Sequence, residues 1–206
     1  MLTKTNNTSK HVFLIEDHED LRDDLTHILE FVGYVVYAFP DPVLFLECNR
    51  REGPAVVVSD MRMPHMTGVE LQERLKELGR NIPMVIISGE STDQQIIAAL
   101  KNGAIDFLLK PFSRESLLEA VAKAIEIDSA AMKYASRISE FNKKLKILSP
   151  RERQVFQLLS EGLSNRELME RLNISLPTVK GHKKEVMQKL CLRSLSELIT
   201  LNKSCT

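Results

Sequence analysis

Three apolar segments of this chain run directly into charged residues. The first segment ends in Glu16 and Asp17, the second ends in Asp60 and the third ends in Lys110. The carboxyl ends of parallel strands meet at one edge of a sheet, so parallel strands would gather three carboxylates and one ammonium around a single point. A hard divalent cation binds such carboxylates, and phosphate oxygens can share it with an aspartate nucleophile. The sequence therefore predicts a site for a cation and a phosphoryl group.

The first half of the chain also predicts the sheet that would position these residues. Its apolar runs are continuous, as in strands buried on both faces, and stretches with helical spacing separate them. We expect an α/β, flavodoxin-like five-stranded parallel (βα)5 domain, in which ligands bind between strands one and three. The predicted strands cover about 11–15, 34–38, 55–59, 83–87 and 105–109. The predicted helices cover about 19–31, 41–51, 69–78 and 92–101, and a fifth begins after Ser113.

Charge divides the chain into two unlike halves. Lys and Arg together number 28 in 206 residues, and so do Asp and Glu. Residues 1–128 carry 13 basic and 21 acidic side chains, whereas residues 129–206 carry 15 and 7. An acidic half can concentrate a cation and a basic half can lie on phosphates, so the two halves suit different partners.

Cysteine usage and hydropathy indicate a reducing, aqueous setting. Cys48, Cys191 and Cys205 are odd in number and follow no metal-binding spacing, so we expect reduced thiols. The first ten residues lack the apolar core of a signal peptide. No apolar run approaches the ~20 residues that span a bilayer. We therefore expect a cytoplasmic protein with no membrane partner.

The basic half is predicted to be helical throughout. Helix starts are marked by capping-box spacing in Ser149 with Glu152, Ser164 with Glu167 and Ser194 with Glu197, and by Ser175 before Pro177. The apolar pattern thins just before this region, as in a helical linker. We expect a disordered N-terminus at 1–10, the α/β domain at 11–128, the linker at 129–147 and an all-α four-helix domain at 148–206.

The α/β half resembles the receiver domain of response regulators. The motifs that carry the resemblance are Glu16-Asp17, Asp60 followed by Pro64 and Gly68, Ser88-Gly89 and Lys110-Pro111-Phe112. Each motif alone is unspecific, because a lone strand-end Asp is usually a turn residue and a lone Lys is usually a solvated charge. Their joint occurrence at the ends of four predicted strands favours the functional interpretation.

The resemblance implies a role for each of these residues. Asp60 would accept a phosphoryl group from the phosphohistidine of a sensor histidine kinase. Mg²⁺ (or Mn²⁺) would be held by Glu16, Asp17, Asp60 and the backbone carbonyl of Arg62. Phosphoryl oxygens would be bound by Ser88, Lys110 and the backbone amide of Met61. Ser88 and Phe107 would form the switch, with the aromatic ring turning inward, and the Lys110–Pro111 peptide would be cis. Arg62 and Glu90 would either tune phosphoryl hydrolysis or pair across the opening of the site.

The basic half resembles the DNA-binding domain of NarL/FixJ (LuxR-type) regulators. The matching motifs are Leu148-Ser149-Pro150-Arg151-Glu152-Arg153, Gly162-Leu163-Ser164-Asn165-Arg166-Glu167, Thr178-Val179-Lys180 with His182, and Lys189-Leu190. A helix-turn-helix fold is implied, with the second helix entering the major groove of double-stranded DNA. Base edges would be contacted by Lys180, Gly181 and Lys184, and phosphates by Ser164, Asn165, Thr178 and Lys183. Seen alone, neighbouring lysines are more often a solvated helix face.

Two residues depart from the pattern of this family. Gly181 lies inside the recognition helix, where it either admits a close approach of DNA or merely loosens the helix. Cys191 follows Lys189-Leu190 where the family usually carries Gly, so a left-handed residue or a different cap is needed there. The last helix, with Leu195, Leu198, Ile199 and Leu201, either pairs two copies or completes the core.

These observations favour a two-component, DNA-binding transcription regulator that acts on no substrate other than its own Asp60. Phosphorylation would make it a homodimer or release the DNA-binding domain. A phosphohydrolase is the rival enzyme class, but it needs a second carboxylate two residues after the nucleophile, where Arg62 stands. A DNA-binding protein with an inactive acidic pocket is the other rival, and the intact acidic, hydroxyl and lysine positions argue against it.

Overall fold

The structure, a computed structural model, describes residues 9–48, 50–90 and 92–203. It divides into two compact units, one ending at Met132 and one beginning at Lys133. Most of the predicted disordered N-terminus, residues 1–8, lies outside the described residues.

The first unit is built on a parallel five-stranded sheet with strand order β2-β1-β3-β4-β5. Its strands are β1 (His11–Ile15), β2 (Val35–Phe39), β3 (Ala55–Asp60), β4 (Met84–Ser88) and β5 (Asp106–Leu109). The helices between them are α1 (Glu19–Phe31), α2 (Pro42–Glu47), α3 (Gly68–Glu77) and α4 (Asp93–Lys101). The order confirms the predicted flavodoxin-like fold, in which β1 and β3 lie side by side and Ile15 pairs with Ser59.

Apolar side chains cover both faces of this sheet, as the continuous apolar runs predict. Alternate residues of β1 show this, because Phe13 packs into the cluster with Phe45 and Leu71, whereas Leu14 packs into the cluster with Leu25 and Val121 on the other face. Burial on both faces fixes the strands, and their carboxyl ends are therefore held at one rigid edge.

Helix α2 is shorter than the sequence pattern predicts. It ends at Glu47 instead of near Arg51, and Cys48 already has an extended backbone. Beyond the helix end, the chain makes a long-range contact, in which the Arg51 guanidinium donates to the buried Asp128 carboxylate at 2.6 Å. That carboxylate also accepts the backbone amide of Ala55 at 2.8 Å, which ties the start of β3 to the same point.

The second unit contains the helices of the basic half. Helix α5 (Arg114–Leu145) begins in the first unit and enters the second, and it is followed by α6 (Pro150–Ser160), α7 (Asn165–Leu172), α8 (Leu176–Lys189) and α9 (Leu195–Lys203). The predicted linker is helical but is no separate element, since residues up to Leu145 continue α5. Phe141 is buried with Leu148 and Phe156 in the core of the second unit, so this end of the predicted linker packs as part of that core. No helix in the described ranges is long and apolar enough to cross a membrane.

The predicted capping boxes form at two of the three helix starts. The Ser149 and Ser164 hydroxyls each accept a hydrogen bond from the backbone amide three residues later. In return, the carboxylates of Glu152 and Glu167 accept hydrogen bonds from the backbone amides of the two serines. The Ser194 hydroxyl accepts a hydrogen bond from the backbone amide of Glu197. The Glu197 carboxylate, however, accepts its hydrogen bond from the backbone amide of Arg193, so the second bond of a capping box is replaced. At the fourth start, the Ser175 hydroxyl lies 2.9 Å from the Thr178 hydroxyl, and no side-chain cap bond is made there within the described chain.

Cys191 adopts the left-handed conformation that its position requires, with φ of 54°. A side chain in this region costs about 1 kcal/mol relative to glycine. We expect Cys191→Gly to raise the melting temperature of the full chain, measured by calorimetry. Asn173 is the matched control, because it is also left-handed at φ of 50° but is a residue type that tolerates the region. A gain from Asn173→Gly as large as that from Cys191→Gly would contradict this account.

Candidate functional site

Asp60 lies at the carboxyl end of β3 with only 7% of its surface exposed. Its Oδ1 accepts a bond from Lys110 Nζ at 2.5 Å, and its Oδ2 accepts the backbone amide of Arg62 at 2.7 Å. The Lys110 ammonium also donates to Oε2 of Glu16 at 2.9 Å. One ammonium therefore bridges two buried carboxylates from different strand ends, as the sequence pattern predicts for this edge of the sheet.

The charge state of Lys110 follows from its two partners. Burial lowers the pKa of the Lys110 ammonium, but hydrogen bonds and charge from Asp60 and Glu16 outweigh it, so the pKa is raised overall. The side chain is therefore positively charged at neutral pH. Because a phosphoryl group is an anion, a fixed cation beside Asp60 provides a ready partner for its oxygens.

Glu16 and Asp17 form the acidic part of the site together with His18, which the sequence pattern did not single out. Each of the three offers a ligand atom, and these atoms lie within 4.8 Å of one another. Arg22 of α1 holds the loop in place, because its guanidinium donates to the Glu16 carbonyl at 2.9 Å and to the Asp17 carbonyl at 3.4 Å. The hard carboxylate oxygens fit a hard divalent cation such as Mg²⁺.

An open cleft of about 410 Å³ lies above these groups, and Asp60, Ser88 and Lys110 line it. Ser88 is buried at the end of β4, where its hydroxyl donates to the Glu90 carbonyl at 3.0 Å. Arg62 crosses the opening and donates to the same carbonyl at 2.7 Å. The Arg62 guanidinium also lies 3.6 Å from the Glu90 carboxylate. The two residues thus pair across the opening, which is one of the two alternatives expected from the sequence.

The structure corrects the role expected for the Met61 amide. This amide donates to the Ile87 carbonyl at 2.7 Å, which is a hydrogen bond of the Asp60–Ile87 pair that ends the β3–β4 ladder, so the donor is occupied. The amide that faces the Asp60 carboxylate belongs to Arg62. Gly68 closes the loop behind the site by donating to the Met61 carbonyl at 2.9 Å. A Cβ at Gly68 would lie 2.8 Å from the Asp60 carbonyl oxygen, which explains why glycine stands there.

Two further residues implied by the receiver resemblance lie near the cleft. Phe107 of β5 is half-buried and packs against the apolar cluster that contains Met61 and Ile86. The Lys110–Pro111 peptide is cis, as the resemblance implies.

In the second unit, α7 and α8 are joined by a tight turn at the left-handed Asn173. Val179, Val186 and Leu190 face the core and are buried. The exposed residues expected to contact DNA are Ser164, Thr178, Lys180, Gly181 and Lys184, whereas Asn165 and Lys183 are half-buried. All but Ser164 and Asn165 lie on α8, so the arrangement gives one helix that presents a basic face.

Gly181 is not required by the packing of the chain itself. Among the described residues, no atom comes within 4 Å of a Cβ built at this position. Its backbone lies within α8, where glycine costs about 1 kcal/mol relative to alanine.

An ion pair between the buried Glu152 of α6 and the exposed Lys189 of α8 was not anticipated from the sequence. Lys189 Nζ donates to both carboxylate oxygens of Glu152, at 2.6 and 2.8 Å. Glu152 is 4% exposed and also accepts the Ser149 amide at 2.7 Å. Hydrogen bonds from Lys189 and Ser149 hold the pKa of the Glu152 carboxyl below its usual range. Both residues belong to the motifs quoted for the DNA-binding resemblance, but spacing alone does not reveal that they meet.

The last helix contributes to the same core. Leu198 and Leu201 of α9 are buried, and Leu195 and Ile199 pack partly against the cluster. Completion of the core, one of the two roles considered for this helix, is therefore confirmed.

A parallel doubly wound sheet with a lysine-paired aspartate, followed by a helix-turn-helix unit, is the architecture of a two-domain DNA-binding regulator. Residues 12–122 match the model of the response regulator receiver domain, and residues 146–202 match that of the bacterial regulatory proteins of the luxR family. The chain therefore belongs to the NarL/FixJ family of response regulators, the transcription regulators of two-component systems.

Individual relatives agree with this assignment over nearly the full length. The transcriptional regulatory protein FixJ of Bradyrhizobium diazoefficiens is 36% identical over 194 residues, which are 94% of this chain and 95% of FixJ. The response regulator protein TodT of Pseudomonas putida is 33% identical over 188 residues, 91% of this chain and 83% of TodT.

Solved structures show the same similarity. The response regulator StyR superposes with a TM-score of 0.77 at 35% identity, covering 95% of this chain and 99% of StyR. Full-length FixJ from B. japonicum superposes with a TM-score of 0.57 at 35% identity, covering 94% of this chain and 95% of FixJ.

Proposed function

We propose that Asp60 accepts a phosphoryl group from the phosphohistidine of a sensor histidine kinase, and that this modification controls DNA binding by the second unit. The observation that supports the proposal is the buried Asp60 carboxylate, held by the Lys110 ammonium at the rim of an open cleft. The chemistry would occur in the cytoplasm, where the kinase phosphohistidine and the DNA are both accessible.

The transfer uses a carboxylate oxygen of Asp60 as the nucleophile. It forms a bond to phosphorus while the phosphorus–nitrogen bond to the histidine breaks, and the imidazole leaves after taking up a proton. Glu16, Asp17, Asp60 and the carbonyl of Arg62 would hold Mg²⁺ (or Mn²⁺). When bound, the cation neutralises charge that develops on the phosphoryl oxygens. Hydrolysis, in which water attacks the phosphorus and the bond to the Asp60 oxygen breaks, would release inorganic phosphate and regenerate the free carboxylate.

Two side chains must change partners once Asp60 is modified. Lys110 would exchange its Asp60 oxygen for a phosphoryl oxygen, and Ser88 would turn its hydroxyl from the Glu90 carbonyl to another phosphoryl oxygen. The Arg62 amide, which now donates to the Asp60 carboxylate, takes the donor role first assigned to Met61. Movement of Ser88 opens space into which Phe107 would turn, and the added negative charge stabilises this second arrangement.

The output of this switch would be a homodimer whose α8 helices reach two half-sites on double-stranded DNA. Lys180, Gly181 and Lys184 would contact base edges. Ser164, Asn165, Thr178 and Lys183 would contact phosphates, which position the protein without specifying sequence. The open space beside Gly181 is consistent with a close approach of the DNA.

The proposal is tested by measuring DNA affinity of the full chain with and without a small phosphodonor and Mg²⁺, on a site selected in vitro by the protein itself. We expect the phosphodonor to tighten binding and to shift the protein from monomer to dimer in analytical ultracentrifugation. If the phosphorylated protein binds DNA with the same affinity as the unmodified protein and also remains a monomer, this modification does not control DNA binding.

The lysines of α8 allow the two kinds of DNA contact to be separated. We expect Lys183→Ala to weaken binding on all sequences and to reduce the slope of log affinity against log salt by about one, whereas Lys184→Ala relaxes sequence preference. Fluorescence anisotropy on selected and random DNA at several salt concentrations measures both effects. Equal losses on the two DNAs for both variants would contradict the division.

A further inference from the structure

His18 stands beside the acidic pair and is the residue of this cluster that neither the receiver resemblance nor the sequence pattern explains. Its ring is 78% exposed, and its Nδ1 lies 3.2 Å from Asp17 Oδ1 and 3.4 Å from Glu16 Oε1. The same residue lines the cleft above Asp60. An imidazole thus stands at the mouth of the cation site, within reach of both carboxylates.

The two oxygens of Glu16 have different surroundings. Oε2 accepts the Lys110 ammonium at 2.9 Å, whereas Oε1 has two longer contacts, both of 3.4 Å, from the backbone amide and from Nδ1 of His18. Glu16 is 1% exposed, so Oε1 is a buried anionic oxygen whose contacts from the described residues are the two long ones of His18. A cation placed between Glu16 Oε1, Asp17 Oδ1 and His18 would compensate this oxygen, and it would not displace Lys110 from Oε2.

The ligand types in this cluster distinguish between cations. Mg²⁺ is a hard ion that binds oxygen and gains little from an imidazole. First-row transition ions such as Co²⁺, Ni²⁺ and Zn²⁺ accept imidazole nitrogen readily, and their affinities exceed that of Mn²⁺ at the same site. A site with two carboxylates and one imidazole therefore favours first-row transition ions over Mg²⁺.

We propose that His18 is a nitrogen ligand which gives the cation site a preference for a divalent first-row transition ion over Mg²⁺. The inference rests on the proposed function, because both ions use the oxygens of Glu16 and Asp17 and compete for one place. His18 acts here as a residue that determines which metal is bound, through a ring nitrogen beside two carboxylates.

The test measures binding of Co²⁺ alone and of Mg²⁺ alone to the full chain by isothermal titration calorimetry. The variant His18→Asn keeps a polar side chain with an oxygen donor but removes the imidazole. His65→Asn is the matched control, because His65 is also exposed and lies 3.6 Å from a carboxylate, that of Asp41. Its left-handed backbone, at φ of 70°, is tolerated by Asn.

We expect His18→Asn to weaken Co²⁺ about tenfold or more, as loss of a metal-site contact does, and to leave Mg²⁺ within about twofold. The visible absorption of bound Co²⁺ should change in this variant only, and Mg²⁺ should compete with Co²⁺ in the wild type. Unchanged Co²⁺ affinity in His18→Asn with normal Mg²⁺ binding would overturn the inference and leave the proposed function intact. An equal loss in His65→Asn would also overturn it. If Mg²⁺ fails to bind the wild type at all, the metal dependence in the proposed function fails as well.

Discussion

The variant Asp60→Asn is expected to lose the response of DNA binding to a phosphodonor completely. The amide of Asn is a poor nucleophile and forms no acyl phosphate, so no phosphoryl group reaches Lys110 or Ser88. The substitution preserves the shape of the side chain and an acceptor for the Arg62 amide, so the fold should persist. DNA affinity measured with and without phosphodonor and Mg²⁺ gives the response directly.

Asp106→Asn is the matched control for this experiment. Asp106 is a half-buried aspartate on β5, which β4 separates from the strand that carries Asp60. Its carboxylate accepts a hydrogen bond from the Phe107 amide at 2.9 Å, and Asn can keep that bond. We expect its response to the phosphodonor to equal that of the wild type. A full response in Asp60→Asn, or a response lost equally in both variants, would show that Asp60 is not the controlling residue.

The second large effect is expected from Lys189→Met, which removes the α8 partner of the buried Glu152 carboxylate on α6. Glu152 would keep the Ser149 amide but lose both bonds from the ammonium. Because the Lys189 side chain is 43% exposed, solvent screens this ion pair, and losing it costs about 1 kcal/mol. Hydrogen exchange of the full chain should therefore show faster exchange of the slow amides of α6 and α8, with unchanged protection in the sheet of the first unit.

Lys184→Met provides the control on the same helix, since Lys184 is exposed like Lys189 but, within the part of the chain that the structure describes, forms no ion pair. An exposed substitution of this kind should change local stability by no more than about 0.5 kcal/mol. Similar exchange rates in Lys184→Met and Lys189→Met would mean that the ion pair contributes nothing specific to the packing of the recognition helix.

The ion pair also gives this unit an acid-sensitive component of stability. Because the pKa of Glu152 is lowered in the folded state, first by Lys189 and then by Ser149, the folded protein stabilises the carboxylate. This contribution is fully present above the unfolded carboxyl pKa of about 4.3 and is lost as the pH falls through the lower folded value. Lys189→Met should therefore flatten the decrease in stability of α6 and α8 below about pH 4.3.

Much of the receiver site was predictable because strand ends can be recognised from sequence. Asp60 and Lys110 each follow a continuous apolar run, so the fold alone brings them to one edge of the sheet. The reach of the hydrogen-bond ladder was not predictable, because the Asp60–Ile87 pair that ends the ladder between β3 and β4 leaves no local signal. That pair occupies the Met61 amide and presents the Arg62 amide instead.

The second unit shows the same contrast between local and distant contacts. Capping boxes at Ser149 and Ser164 are local patterns, and both form as expected. The burial of Phe141 and the pairing of Glu152 with Lys189 depend on how helices distant in sequence pack. Periodicity reports which face of a helix is apolar, but it does not report which partner that face meets.

The central claim, that Asp60 carries the phosphoryl group, is tested most directly by locating that group in the intact protein. The full chain is incubated with Mg²⁺ and a small phosphodonor, the acyl phosphate is trapped chemically, and the modified residue is identified by peptide mass spectrometry. We predict a single modified position at Asp60 that disappears when the cation is chelated. A modification at another carboxylate, or at Asp60 and several others equally, would contradict the account.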